Sequence, residues 1–102
     1  MKTGIELIAE ERQKQIDKHG FTGKHHAEHS EWYANYQLQH AAHALLADEL
    51  YEQAEVEDYI PNGWNKKWFL DLLGRSRKER LIIAGALIAA EIDRLQQLED
   101  LK

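Results

Sequence analysis

The ten residues LIIAGALIAA (81–90) decide the fold class that the sequence predicts, because this run is apolar on every side of a helix. Such a helix lies at the centre of a helical bundle or in a membrane. A membrane span takes about 20 apolar residues, whereas Arg80 precedes this run and Glu91 follows it. The run therefore predicts a buried central helix. Because a few short helices can hardly cover it, we also expect the chain to self-associate.

A capping box ahead of this run marks the start of the last helix. Ser76 and Glu79 have the S-x-x-E spacing, in which each side chain bonds a backbone N–H of the other residue. We therefore predict a helix from Arg77 to about Leu98. A shorter helix, NKKWFLDLLG (65–74), is predicted before it and ends at a glycine.

The first helix is marked in the same way. Thr3 and Glu6 form a second capping box, and apolar residues then recur at helical spacing. Gly20 follows Lys18 and His19, a combination typical of a helix end. These signals predict a helix over residues 4–19.

The start of the next helix is ambiguous. It can begin near Lys24 or at Glu31, since Thr22 and Ser30 are both suitable caps. In either case the apolar spacing predicts that it continues to about Glu55. With about four helices and no strand pattern, the chain is predicted to be an all-α bundle, one domain over residues 1–102.

The composition narrows the possible functions. The 102 residues are 43% hydrophobic and 30% charged, as expected for a globular domain. There is no cysteine, which rules out disulfides and a thiolate zinc site. The net charge of −5 argues against a nucleic-acid partner. The N-terminus lacks the apolar run of a signal peptide, so we expect a cytoplasmic protein without a membrane partner.

Acidic and histidine side chains are concentrated in AEERQKQIDKHGFTGKHHAEHSEW (9–32). Glu10 and Glu11 are adjacent on the first predicted helix. Glu28 and Glu31 would share one helix face if their segment is helical. Two such clusters on neighbouring helices can converge across a groove, and carboxylates brought together in this way select Mg²⁺ or Mn²⁺.

Simpler interpretations exist for the same residues. Lys14 forms the favoured i, i+4 surface pair with Glu10, which favours solvated helix faces. His25 and His29, with Glu28 between them, could bind zinc or nickel on a helix. Their order differs from H-E-x-x-H, which favours polar residues near a helix start instead.

Three segments, LIAEERQKQI (7–16), GFTGKHHAEHSE (20–31) and AGALIAAEIDRLQ (84–96), together resemble a small, often phage-encoded protein family. That family is similar to the MazG-like all-α nucleoside triphosphate pyrophosphohydrolases, whose EExxE and ExxD motifs hold Mg²⁺. The resemblance implies a MazG-like all-α fold and a dimer or tetramer. It also implies metal-dependent hydrolysis of a nucleoside triphosphate to a nucleoside monophosphate and pyrophosphate.

The resemblance also implies roles for individual residues. Glu10, Glu11, Glu28 and Glu31 would hold Mg²⁺ or Mn²⁺, and Glu11 could orient a water molecule as a general base. Lys14 stands where the enzymes have the third glutamate of EExxE, although the small family has a basic residue there.

Further departures favour a second hypothesis, an inactive helical interaction protein that retains the fold. In another alignment Gln37 and His40 replace both acids of ExxD. Ile83 stands where the small family has a lysine, which removes one possible phosphate contact.

Aromatic and basic residues supply candidates for substrate binding. Stacking on a base and contacts with phosphates would come from five side chains: Lys14, Trp64, Lys66, Lys67 and Arg80. The alternative is that the aromatic residues form a small core beneath the loop and that the basic residues are solvated.

Overall fold

The structure is a computed structural model that describes residues 1–47 and 59–100. These two ranges contain helices and no strand, so the predicted all-α fold is confirmed. The helices are α1 (Gly4–His19), α2 (Gly23–Glu28), α3 (Ser30–Tyr33), α4 (Gln37–Leu46), α5 (Lys66–Leu73) and α6 (Arg77–Asp100). Among them, none combines the length and the apolar character that a membrane span requires.

The long helix α6 lies at the centre, and α1, α2 and α4 all pack against it. Its buried apolar side chains face these three helices: Ile83, Ala84, Ala86, Leu87 and Ala90. The opposite side of α6 stays exposed, because three helices cover only part of its circumference. The expected burial therefore holds for one side of the apolar run.

The predicted capping box is complete at Thr3, and the hydroxyl oxygen of Ser76 caps the start of α6. The backbone N–H of Glu6 donates to Thr3 Oγ1 at 3.2 Å, and Thr3 N–H donates to Glu6 Oε1 at 3.0 Å. At α6, the N–H of Glu79 donates to Ser76 Oγ at 3.2 Å. Gly20 ends α1 in the left-handed region, with φ of 69°. Helices α1 and α6 thus have the predicted starts, and α1 also has the predicted end.

The predicted long second helix is instead three helices, α2 to α4. Thr22 caps α2, accepting a bond from the N–H of His25 at 3.1 Å. The chain leaves the helical region at His29, with φ −110° and ψ 66°, and again at Tyr36, where φ is 63°. The predicted continuation over residues 48–55 lies outside the described residues.

The second break depends on the buried side chain of Gln37. Its Oε1 accepts a bond from the N–H of Asn35 at 2.6 Å, and its amide nitrogen lies 3.3 Å from the carbonyl oxygen of Glu31 and 3.4 Å from that of Asn62. One side chain therefore satisfies backbone groups that a continuous helix would satisfy itself. It also ties this break to the loop before α5.

Charged side chains join α1 to α6 in the interior. The guanidinium of Arg12 donates from Nε to Asp93 Oδ2 at 2.9 Å, and from Nη1 to the carbonyl oxygen of Phe21 at 2.7 Å. Within α6, the next residue, Arg94, bonds both carboxylate oxygens of Glu91 at 2.5 and 3.2 Å. Buried guanidinium groups of this kind need paired acceptors to offset the loss of hydration.

The close approach of α2 to α6 gives a stability prediction. A Cβ atom at Gly23 would lie 2.7 Å from the backbone oxygen of Asp93, so Gly23→Ala must push the two helices apart. We expect the free energy of unfolding to fall by about 1–3 kcal/mol, as for other overpacked sites. Urea unfolding of the variant and the wild type measures the difference.

Gly4→Ala is the matched control, because Gly4 is also the first residue of a helix. No atom lies within 4 Å of the Cβ position at Gly4. We expect its free energy of unfolding to stay within about 1 kcal/mol of wild type. Equal unfolding midpoints for the two variants would contradict the close contact at Gly23.

Candidate functional site

A cavity of about 670 Å³ opens between α1, α2, α5 and the start of α6. We call it the aromatic cavity. Leu38, Leu72, Ile83 and Leu87 supply aliphatic lining from α4, α5 and α6. Cavities that bind small molecules commonly have volumes of about 300–1,000 Å³ and mostly apolar walls, so its size and lining suit an organic ligand.

Five aromatic side chains form what we call the aromatic wall of this cavity: Phe21, Trp32, Tyr33, Trp64 and Trp68. These include all three tryptophans of the chain. The ring centroids of Trp64 and Trp68 are 5.9 Å apart, and Trp64 Nε1 donates to the carbonyl oxygen of Trp32 at 2.9 Å. A wall of packed rings offers flat apolar surface on which a planar ligand can stack.

Two histidines of α2 continue the aromatic wall. The ring of His26 lies 3.9 Å from that of Tyr33 between centroids, and His25 Nδ1 lies 3.2 Å from His26 Nδ1. Burial, with neighbouring His25, Arg12 and Arg94, lowers the pKa of His26 to about 3. Burial and His29 also lower the pKa of His25. The His26 ring is therefore neutral at pH 7.

Burial acts in the opposite direction on Tyr33. It raises the pKa of the phenol to about 12, with a smaller contribution from the carboxylate of Glu31. Tyr33 therefore keeps its proton at neutral pH, and this part of the aromatic wall carries no charge.

One edge of the cavity is charged. Glu11 and Lys14 of α1 line it together with Arg75, which lies between α5 and α6. We call these three residues the charged rim. They also line an adjoining cleft of about 180 Å³, where Glu79 of α6 joins them. Carboxylate, ammonium and guanidinium groups thus lie beside an apolar wall, an arrangement that suits a ligand with a ring at one end and anionic groups at the other.

The four predicted metal-binding acids do not converge in this way. Glu10 is exposed and pairs with Lys2. Glu28 lies 3.9 Å from Lys24 Nζ. Glu31 lies 3.0 Å from His29 Nδ1, and this hydrogen bond is the largest cause of the lowered pKa of Glu31. Only Glu11 lines the aromatic cavity.

Local geometry explains why these acids are apart. Adjacent residues on a helix point about 100° apart, so Glu10 and Glu11 face different ways. Glu28 and Glu31 would share a face only on a continuous helix, and the chain breaks between them at His29. Within residues 1–47 and 59–100, no three acidic or histidine side chains form a group that could hold a metal ion. His25 and His29, whose ring centroids lie 4.4 Å apart, also belong to no such group.

The predicted substrate-binding residues divide into two groups. Lys14 and Trp64 line the aromatic cavity. Lys66 and Lys67 are exposed in the first turn of α5 and do not line it. Arg80 Nη1 lies 3.1 Å from the carbonyl oxygen of Ala47 and 3.5 Å from that of Leu45. Its guanidinium therefore donates hydrogen bonds to backbone carbonyl groups at the end of α4.

Two residues at which the chain departs from the resembled pattern, Gln37 and Ile83, have positions that fit structural roles. Gln37 is buried and engaged with backbone groups at the start of α4, as described above. Ile83 is buried and contributes to the aliphatic lining of the cavity. A lysine at that position would project towards the aromatic cavity, which gives a physical meaning to this departure from the family pattern.

Several cavity residues were not identified from the sequence. Phe21, Trp32, Tyr33 and Gln15 line the cavity but carry no motif of their own. The one sequence signal for an aromatic cavity was the number of aromatic residues on both sides of the α2–α3 break. These residues come together because the chain breaks there, and the helical spacing does not predict that break.

With this geometry in view, the chain was compared with known proteins. No protein-family model, curated protein or solved structure matches it. The resemblance to MazG-like enzymes therefore stays a prediction, and the function has to be argued from the residues of the cavity.

The buried His26 predicts a dependence of stability on pH. An unfolded histidine takes up a proton below about pH 6.5, whereas folded His26 does so only near pH 3. The free energy of unfolding should therefore be highest above pH 6.5 and fall as the pH falls. The His26 contribution has a slope of up to about 1.4 kcal/mol per pH unit.

Urea unfolding between about pH 7 and pH 5 tests this slope, because most carboxylates stay ionised in that range. His26→Phe keeps an aromatic ring beside Tyr33 and should flatten the curve. His43→Gln is the control, since His43 is exposed on α4, and it should retain the wild-type curve. An unchanged slope in His26→Phe would be evidence against a buried neutral His26.

Proposed function

We propose that the aromatic cavity binds a nucleoside triphosphate and that the bound nucleotide is hydrolysed to a nucleoside monophosphate and pyrophosphate. One observation carries the proposal: the aromatic wall and a rim bearing Lys14 and Arg75 belong to the same cavity. A base is planar and stacks on aromatic rings, and phosphates are bound by ammonium and guanidinium groups.

The proposed orientation follows from the chemistry of the two ends. The base would lie against Trp32, Trp64 or Trp68, where stacking on an aromatic ring contributes about 1–3 kcal/mol. The triphosphate would extend to Lys14 and Arg75. Arg75 now pairs with Asp71 at 3.1 Å, an exposed pair of a kind that is weakly held, so its guanidinium can turn to a phosphate.

The proposed hydrolysis depends on a divalent metal ion. In the described part of one chain the charged rim offers Glu11, with Glu79 in the adjoining cleft, and these two carboxylates do not by themselves form an ion site. Mg²⁺ would therefore enter bound to the triphosphate, as part of the substrate. The chain itself would bind the base, neutralise phosphate charge through the rim cations and direct a water molecule.

Glu11 is the candidate general base. In the proposed reaction a water oxygen forms a bond to the α-phosphorus, the bond from that phosphorus to the α–β bridging oxygen breaks, and pyrophosphate leaves with the bonding electron pair. The carboxylate of Glu11 accepts the proton from the water. Its position in the charged rim, beside the proposed phosphate site, suits this role.

A second hypothesis is nucleotide binding without turnover, or an interaction protein with no nucleotide at all. The pairing of Glu10 with Lys2, of Glu28 with Lys24 and of Glu31 with His29 favours it, because acids engaged in this way are not gathered around a metal.

Binding can be measured by tryptophan fluorescence, since every tryptophan of the chain lines the cavity. We expect a nucleoside triphosphate to quench the emission. In Lys14→Gln, triphosphate affinity should fall about tenfold, equivalent to about 1.4 kcal/mol, because a phosphate contact is lost. The affinity for the corresponding nucleoside should not change.

Lys67→Gln is the matched control for charge, because Lys67 is exposed and does not line the cavity. It should bind triphosphate like the wild type. If no nucleotide alters the fluorescence, or if both lysine variants lose affinity equally, the proposed orientation is wrong.

Turnover is tested by pyrophosphate release over the common nucleoside triphosphates with Mg²⁺ or Mn²⁺. We expect Glu11→Gln to reduce the rate at least about 100-fold, the effect usual for loss of a general base. Glu10→Gln should retain nearly full activity, because Glu10 points to Lys2. Quenching without any pyrophosphate release would leave the binding hypothesis standing and reject the enzymatic one.

A further inference from the structure

Two glutamines in the described part of the chain are buried, and they differ in what their side chains contact. Gln37 is 1% exposed, and its amide contacts three backbone groups. Gln15 of α1 is 9% exposed and lines the aromatic cavity. Its amide makes no hydrogen bond with any group of residues 1–47 and 59–100. Because buried polar groups nearly always have a partner, the Gln15 amide is available to a molecule inside the cavity.

The Gln15 amide can also be reached from the cavity. Arg80 Nε is fully enclosed without a hydrogen-bond partner, whereas neither amide atom of Gln15 is enclosed in this way. Glu11 and Lys14 line both the cavity and the adjoining cleft, but Gln15 lines the cavity and not the cleft. Gln15 therefore lies on the inner side of the charged rim.

The position of Gln15 along α1 places it between the two ends of the cavity. Glu11, Gln15 and His19 are spaced four residues apart, so they share one helix face, and all three line the cavity. Glu11 belongs to the charged rim. The ring of His19 stacks on Phe21, the first ring of the aromatic wall, with centroids 5.1 Å apart. Gln15 therefore separates the rim from the wall.

A nucleotide has its own neutral polar part in the corresponding place. The pentose joins the phosphates to the base, so a nucleotide with its phosphates at the charged rim and its base on the aromatic wall has its pentose beside Gln15. A primary amide has an oxygen that accepts hydrogen bonds and an NH₂ group that donates them, and a hydroxyl can do both. The 2′ and 3′ hydroxyls of ribose are neighbours on one ring, so a single amide can bond to both.

We propose that Gln15 determines the sugar specificity of the cavity by binding the 2′,3′-diol of a ribonucleoside triphosphate. The amide oxygen accepts a bond from one hydroxyl, and the amide nitrogen donates a bond to the other. A 2′-deoxynucleotide leaves one of these amide groups buried without a partner, which weakens its binding. The inference rests on the proposed nucleotide function and names the class of substrate within it.

The absence of a structural role for the Gln15 amide can be tested without nucleotide. Gln15→Met keeps the length of the side chain and removes both polar atoms, so its urea unfolding midpoint should equal or exceed that of the wild type. Gln37→Met is the contrasting variant. It removes the partner of the backbone N–H of Asn35, so it should unfold at lower urea concentration.

Tryptophan fluorescence measures the sugar preference. With EDTA present to prevent hydrolysis, the wild type should bind adenosine triphosphate about ten- to 100-fold more tightly than its 2′-deoxy and 3′-deoxy analogues. In Gln15→Met the three affinities should agree within about twofold, because the side chain no longer bonds to either hydroxyl. The equalised affinities should match those of the wild type for the deoxy analogues.

Gln13→Met is the matched control on the same helix. Gln13 is exposed, and its amide donates to Asp17 at 2.9 Å outside the cavity, so this variant should keep the wild-type preference for ribose. Pyrophosphate release with Mg²⁺ separates sugar recognition from catalysis. Gln15→Met should abolish the difference in kcat/KM between ribose and deoxyribose substrates, whereas Glu11→Gln should lower both rates alike.

Several results would overturn the proposal and would show which part of it is wrong. A wild type that binds ribose and deoxyribose triphosphates equally keeps the nucleotide function and excludes the contact with the diol. A ribose preference that survives in Gln15→Met assigns the diol to another residue. If Gln15→Met instead loses discrimination against purine riboside triphosphate, which lacks the amino group of adenine, the amide contacts the base.

Two further results bear on what the proposal assumes. A wild type whose fluorescence responds to no nucleotide rejects the proposed function, and the sugar specificity with it. Destabilisation of Gln15→Met as large as that of Gln37→Met shows that the amide stabilises the fold, which also rejects the proposal. Circular dichroism checks that each variant used for binding is folded.

Discussion

The guanidinium of Arg12 is the contact on which the rest of the structure depends. It joins α1 to Asp93 of α6 and also binds the carbonyl oxygen of Phe21, which fixes the link between α1 and α2. Phe21 begins the aromatic wall, and Gly23, two residues later, allows α2 to touch the backbone of α6. One buried cation therefore sets the positions of three helices and of one side of the cavity. Burial of a guanidinium is tolerated because oxygens on two segments accept its bonds.

The same cation affects the chemistry of the cavity. Arg12 and Arg94 lie near His26, and their charges add to the effect of burial in keeping its ring neutral. The part of the aromatic wall formed by His26 and Tyr33 is therefore uncharged at neutral pH. Among the described residues, the acidic, lysine and arginine side chains that line the cavity are those of the rim, so polar charge and apolar wall are contributed by different residues. This separation is what makes a ligand with one planar and one anionic end the best fit.

The carboxylates show how a helix break changes the meaning of a motif. The chain has 18 acidic residues and a net charge of −5. Of the six acids in the first 32 residues, three lie beside a nearby base: Glu10, Glu28 and Glu31. Glu11 differs from its neighbour Glu10 only by the turn of one helical residue, yet it alone lines the cavity. A catalytic role for this chain therefore depends on one carboxylate and on the metal that a substrate would bring. An acid cluster of its own is not available in the described residues.

The sequence by itself determined the features that depend on neighbours within one helical turn. The capping boxes at Thr3 and Ser76, and the glycine at residue 20, act over three or four residues, so they could be read directly. Lys14 and Trp64, which the sequence predicts as substrate-binding residues, both line the aromatic cavity, although that shared position could not be foreseen. Only the tertiary structure decided the break before α4, because Gln37 is held there by the carbonyl oxygen of Asn62, 25 residues away. The aromatic cavity likewise gathers side chains from distant segments, and no local spacing encodes contacts of that range.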